Sequence, residues 1–443
     1  MLLKRFCLAL SATFLLAVPA GAATRVLVLP FDTPSDSQTV TSLGPGTMDS
    51  LITALSRIPD FVLVDRTTLG HVLKEQALQQ TGLVDDKTAV RLGKLLGVQA
   101  IIHGRVQVAG ERVRLSASFI EAETGRVRRA EQVTGHLDDV FDLQDQLAHR
   151  FVTDQGVIVS PQADRQMATA IRSTHNLKAY EAYQQGQAWY QFATAPGYEN
   201  SLAWYDQALQ TDPNYALAWA GKADSIAALV WMHTGYYHTT AVTYEQGIEA
   251  ARKALALQPD LPQAHRAMAL MLCTKEDYKP AQMHARRFLE LMPNNPDACM
   301  AAWMAENSRD PEDPLMLRAL ELNPRMILAH LQRVVAFAKK GKVKEAFASA
   351  EIAMSLNPDA DTTHFIMGML QYMTGHPIRS VQYYRKAVEL NPKHAAAYNY
   401  LGDALRSLSR YDEAMTAYRQ ATRLRPDYYD ARESLLKLER QER

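Results

Sequence analysis

Residues 398–431 read YNYLGDALRSLSRYDEAMTAYRQATRLRPDYYDA, two apolar-periodic segments separated by a polar turn and closed by a proline. Tyr398, Leu401, Gly402 and Leu405 fall on one face of a first helix, and Ala414, Tyr418 and Ala421 on one face of a second. Pro426 follows, and a proline there stops a helix because it restricts the residue before it. The same punctuation recurs upstream: Pro259, Pro293, Pro324, Pro358, Pro392 and Pro426 are spaced by 34, 31, 34, 34 and 34 residues. A period of about 34 predicts stacked helix-turn-helix units, none of which buries its apolar face alone.

The unit resembles the tetratricopeptide repeat, with eight positions agreeing in register between Tyr398 and Pro426. Gly368, Tyr384, Ala387 and Pro392 repeat the pattern in the preceding unit, and Phe337, Ala346, Ala353 and Pro358 in the one before that. Small residues serve where helices cross closely, and aromatic residues fill the gaps between hairpins. The array opens with Gly186, Trp189, Tyr205, Ala208 and Pro213, so about seven units are expected over residues 177–427, with 428–443 as a charged capping helix. The step from Pro213 to Pro259 is 12 residues longer than a standard repeat, and WMHTGYYHTT (231–240) accommodates the surplus. Tyr236 and Tyr237 in that insertion are expected to form a contact loop.

The resemblance implies a concave groove lined by the first helix of each hairpin. Counting from the aligned units, Leu331 and Val335, then Phe365, Met369 and Tyr372, then Asn399, Asp403 and Arg406 are expected to face it. Such a groove is apolar in its middle and polar toward its C-terminal end. It suits an extended or helical protein segment with apolar anchors.

Ahead of the array the period changes. RVLVLPF (25–31) and FVLV (61–64) read as buried strands, and Leu51, Leu55 and Ile58 form a helical stripe between them. Leu69, Val72, Leu73 and Ala77 mark a further helix, and another over 87–96 stops at Gly97. VQAIIHGRVQV, ERVRLSASFIEA and GRVRRAEQVTG then predict an antiparallel meander with turns at Ala109-Gly110 and Thr124-Gly125. A helix over 138–152 closes an α/β domain of mixed sheet and helices at 24–156, and 157–176 reads as a linker.

VLVLPF, FVLVDRTTLGHVLKEQALQQTGLVDD and AVRLGKLLGVQAIIHGRV resemble the curli-secretion CsgG family and the related FlgO proteins, and more distantly the N-terminal domain of TolB. The resemblance spans residues 25–136 and implies a bacterial cell-envelope protein whose α/β module mediates assembly. The CsgG pore is a lipoprotein with long barrel-forming insertions. Here Cys7 precedes the apolar run and the turn at Ala109-Gly110 joins short strands, so a secretion pore is not expected.

Other features narrow the function. Residues 1–23 carry Lys4 and Arg5, an apolar run and a small-residue end, the layout of a cleaved secretory signal, which predicts a periplasmic protein peripheral to the outer membrane. Lysine and arginine total 48, as do aspartate and glutamate, so no charge excess points to nucleic acid or an anionic membrane. Cys273 and Cys299 read as buried small hydrophobes in a chain that does not depend on disulfides.

Asp65 and Arg66 follow the second strand without an accompanying nucleophile or base, and read as a structural signature of the resembling family. LGPGTMDS (43–50) lacks the lysine of a phosphate loop and reads as a capping turn. His233 and His238 are spaced for different helix faces and read as loop residues, not metal ligands. No catalytic, cofactor or metal site is expected. The sequence therefore predicts a non-catalytic protein-interaction scaffold, or alternatively an oligomeric component of an envelope assembly built by self-association of the α/β domain.

Overall fold

The computed structural model describes residues 24–33, 38–56, 61–64, 86–153, 174–191, 194–235 and 244–441. Asp65, Arg66, the helix expected over 69–77, Tyr236, Tyr237 and the N-terminal 23 residues lie outside them, as does most of the 157–176 linker.

The first domain is a five-stranded mixed sheet in the order β2-β1-β3-β4-β5. Its strands are β1 (Thr24–Val28), β2 (Phe61–Leu63), β3 (Ala100–Ala109), β4 (Arg112–Glu121) and β5 (Val127–His136). β1 pairs in parallel with both β2 and β3, and β3, β4 and β5 form the antiparallel meander. The central β1 is a continuous apolar run because both faces of a central parallel strand are covered. Val26, Leu27 and Val28 are buried with Ile101, Ile102, Leu115 and Ile120 in one core.

Among the described residues, three α-helices accompany the sheet: α1 (Gln38–Leu55), α2 (Asp86–Leu95) and α3 (Val140–Thr153). Gly97, with φ +63°, supplies the left-handed turn beyond α2. The segment LGPGTMDS corrects the sequence reading: residues 43–50 lie inside α1, and Pro45 is within the helix. Its glycines serve close packing instead of a turn, since a Cβ on Gly44 would sit 2.2 Å from the Phe31 carbonyl oxygen.

Beyond residue 176 the described residues form seven helical hairpins. They are α4 (Leu177–Tyr190) with α5 (Ala195–Thr211), α6 (Ala216–Gly235) with α7 (Tyr244–Leu257), and α8 (Pro262–Thr274) with α9 (Tyr278–Leu291). A short pair, α10 (Pro296–Ala305) and α11 (Pro314–Leu322), comes next. Then follow α12 (Ile327–Lys339) with α13 (Val343–Leu356), α14 (Asp361–Met373) with α15 (Pro377–Leu390), and α16 (Ala395–Ser407) with α17 (Tyr411–Leu424). α18 (Tyr429–Gln441) covers the last hairpin. His233, expected in a loop, lies within the span of α6.

The recurrence of a glycine on the first helix and a tyrosine on the second has a steric cause. A Cβ on Gly186, Gly368 or Gly402 would come within 2.5, 2.7 or 2.6 Å of the rings of Tyr205, Tyr384 and Tyr418 respectively. Each ring lies flat against the bare backbone of its partner helix and is fully buried. Cys273 and Cys299 are free and buried in neighbouring hairpins, and burial pushes both thiols up to about 11.

His265 on α8 and His284 on α9 face each other, Nδ1 to Nδ1, at 3.0 Å. Burial, and secondarily His265, push the His284 imidazole down to about 4. Burial also lowers His265, opposed by its bond to the Pro259 carbonyl and by Asp260 and Glu290, with Arg287 acting in the same sense as burial. The folded pair takes up a proton less readily than the unfolded chain, so its contribution is complete above the ordinary value of 6.5 and is lost as pH falls toward about 4. The unfolding midpoint should drop across that window, and His284→Gln should flatten the drop. Equal pH slopes in calorimetric melts of the two proteins would contradict this.

Candidate functional site: a groove divided in two

The first helices of the seven hairpins line one face of the solenoid, the extended concave surface such arrays use for binding. Its N-terminal half is not free. α1 packs across α4, and the contact is a steric fit in which a Cβ on Gly46 would fall 1.1 Å from the Tyr180 hydroxyl oxygen. The Tyr180 ring meets Phe141 of α3 edge-on, with centroids 4.9 Å apart, and joins the core of the α/β domain. Gln144 donates to Tyr180 Oη at 3.4 Å and to Thr47 Oγ1 at 3.1 Å, tying α3, α1 and α4 together. Gln184 on α4 donates to Asp49 on α1 at 3.5 Å.

The other end of the joint lies at the start of the fourth hairpin. Asn294 donates to the Phe61 carbonyl at 3.2 Å, so a loop of the solenoid uses a backbone acceptor of edge strand β2. Val62 is buried with Met300, Trp303 and Met326. An edge strand that would otherwise present unpaired backbone groups is thereby covered. Between the two contacts the domains enclose a cavity of ≈ 260 Å³.

The C-terminal half, formed by α12, α14 and α16, carries the residues the repeat alignment selected. Leu331, Met369 and Tyr372 are half-buried, and Val335 is 37% exposed. Asp403 is half-buried and Arg406 exposed, and they pair at 3.4 Å. Asp403 also accepts from the Tyr418 hydroxyl at 2.8 Å, and burial pushes its carboxyl above the usual range despite that bond.

Two expected lining residues are elsewhere. Phe365 is only 1% exposed, enclosed by Tyr384, His394 and Tyr400 at centroid distances of 5.8, 4.9 and 5.4 Å. Asn399 is 4% exposed, with Tyr428, just ahead of the capping helix, beside it. Both occupy groove-facing repeat positions that neighbouring aromatic residues have closed over. Met373, 62% exposed at the end of α14, was not singled out from sequence, although its place one residue after Tyr372 on an apolar helix was visible.

Among the described residues, no cluster of three or more His, Cys, Asp or Glu could hold a metal ion. No described helix is long and apolar enough to cross a membrane.

The molecule is thus an α/β sheet domain seated on a tetratricopeptide solenoid. Residues 29–134 match the family described as "Curli production assembly/transport component CsgG", and residues 367–429 match the tetratricopeptide repeat. The chain carries a CsgG-type domain followed by tetratricopeptide repeats, an interaction-scaffold architecture. Among curated proteins, it is 26% identical over 132 residues to "Putative adenylate cyclase 3" of Rhizobium meliloti (strain 1021), a match covering 30% of this chain and 21% of that protein. It is 28% identical over 115 residues to photosystem I assembly protein Ycf3 of Rippkaea orientalis (strain PCC 8801 / RF-1), covering 22% of this chain and 66% of that one. The chain therefore spans about a fifth of the length of the first relative and just under two thirds of the second. Among solved structures, a monomeric mutant of IFIT1 with Gppp-AAAA shares the fold at a TM-score of 0.56 and 14% identity, covering 91% of each chain.

The Gly46–Tyr180 fit predicts that Gly46→Leu separates the domains without unfolding either, because leucine is the better helix former at that position. Limited proteolysis should then cut the connection between residues 153 and 174 much faster than in the unaltered chain. Unchanged protection would contradict the role given to this contact.

Proposed function

We infer that the chain is an exported, non-catalytic scaffold of the bacterial cell envelope that holds a protein segment in the C-terminal half of its groove. The observation that supports this most directly is the unequal treatment of the two halves. The α/β domain covers the first helices from α4 to α10, whereas α12, α14 and α16 present Val335, Met369 and Tyr372 with Asp403 and Arg406 beside them. An apolar strip ending in a charged pair suits a segment with apolar anchors and a polar end. The domain match to CsgG and the layout of residues 1–23 support an envelope location.

Self-association through the α/β domain is the weaker reading. The solenoid covers the β2 edge, and the opposite edge strand β5 carries Arg128, Arg129 and Glu131, charges of the kind that blunt strand pairing.

The test is crosslinking in intact cells, capture of the tagged full chain, and identification of what it retains. Val335→Glu together with Tyr372→Glu should reduce the captured partners by about tenfold or more while leaving the melting midpoint within a few degrees. Capture that survives both substitutions would contradict the groove assignment. Recovery of the chain from the cytoplasmic fraction with residues 1–23 still attached would contradict the location.

A further inference from the structure

The capping helix α18 keeps the register of a first helix but is covered on one side only. Its inner face carries Ala431, Leu435 and Leu438, which join the core of the last hairpins. Ala395 and Gly402 of α16 recur 34 residues later as Tyr429 and Leu436. In α16 both positions are buried, and Gly402 lies against the Tyr418 ring of the second helix, α17. In α18 they are open: Tyr429 is 68% and Leu436 46% exposed, and among the described residues no helix lies over them. The face that a second helix covers in each hairpin is thus left apolar and bare.

Arg432 and Glu433 lie between these two side chains on the same face, since positions i, i+3, i+4 and i+7 share one side of a helix. Arg432 is exposed and has no ion-pair partner among the described residues. Glu433 meets Lys437 through Oε1 at 2.8 Å, and both side chains are substantially exposed, so Lys437 holds it only weakly.

Positions 429, 432, 433 and 436 are symmetric about the midpoint between 432 and 433. When a second copy of α18 is laid antiparallel across that midpoint, Tyr429 of each copy faces Leu436 of the other. Arg432 of each copy then faces Glu433 of the other. Apolar side chains meet apolar ones and opposite charges meet, as a self-complementary two-fold contact requires. Sliding the register until Leu436 meets itself would oppose Arg432 to Arg440, and a parallel pair would set like beside like at every position. The pattern of charge therefore selects one partner, one direction and one register.

We propose that α18 is a self-association surface whose occupant is the α18 of a second copy of this chain, packed antiparallel about a two-fold axis between residues 432 and 433. The second copy takes the place of a hairpin's second helix, at a larger separation because Leu436 stands where the hairpins have glycine. One helix pair is small for a specific interface, so the association is reversible. A dimer carries two C-terminal grooves, which strengthens binding to a partner that presents its segment twice. The surface is separate from the groove and from the α/β domain, and neither assignment depends on the other.

The experiment is sedimentation velocity of the full chain over a series from micromolar to near-millimolar concentration. A reversible monomer–dimer equilibrium is expected, and Leu436→Glu should weaken it by about tenfold or more. Arg432→Glu and Glu433→Arg should each weaken it alone, because each brings like charges together. An equimolar mixture of those two variants should dimerise better than either, since every charged pair in the mixed dimer is then opposite. These sites are at the surface, so melting midpoints should stay within a few degrees. A monomer at every concentration overturns the proposal. A dimer that survives Leu436→Glu also overturns it and places the interface on another face, and a mixture no stronger than its components overturns the antiparallel register.

Discussion

Everything about the arrangement of this molecule depends on one close approach, the backbone of α1 at Gly46 against the hydroxyl of Tyr180. No residue with a side chain fits there, since even a methyl group would overlap the tyrosine oxygen at 1.1 Å. The tyrosine cannot retreat, because Phe141 and Gln144 hold its ring and its oxygen from the other side. Protein interiors are dense enough that such a fit is either made or lost as a unit. Through it, the first repeat becomes part of the core of the sheet domain, and the N-terminal half of the groove acquires a permanent neighbour.

The same device, glycine beneath a tyrosine ring, holds the two helices of a hairpin together at Tyr205, Tyr384 and Tyr418, and Gly221 of the second hairpin meets Tyr205 in the same way. Each hairpin contacts mainly its neighbours, so stability accumulates unit by unit along the solenoid. The short fourth hairpin departs from this rule. It gives up helix length, yet Met300 and Trp303 gain Val62 of the sheet domain as a packing partner. The irregular repeat is therefore where the second domain takes hold.

The hairpins were legible in the sequence because proline spacing and apolar periodicity are local signals. The mixed sheet was legible for the same reason, with buried parallel strands reading as continuous apolar runs and the meander as alternation. Docking was not, because no period links Gly46 to Tyr180 and a glycine beside a proline reads as a turn. The groove was only partly legible. Repeat position tells which way Phe365 and Asn399 leave the helix, but not that Tyr400 and Tyr428 close over them. The functional assignment consequently rests on Leu331, Val335, Met369, Tyr372, Asp403 and Arg406, which keep at least partial access to solvent.

The central claim is that the sheet domain sits on the groove side of the first hairpins. Its most direct measurement is disulfide trapping between Asp49→Cys and Gln184→Cys, whose native side chains meet at 3.5 Å. The native Cys273 and Cys299 are buried and do not compete. The account predicts rapid intramolecular bridging of this pair under mild oxidation, with none for Asp49→Cys combined with Asp412→Cys on α17. A folded protein in which both pairs remain reduced to the same extent would contradict it.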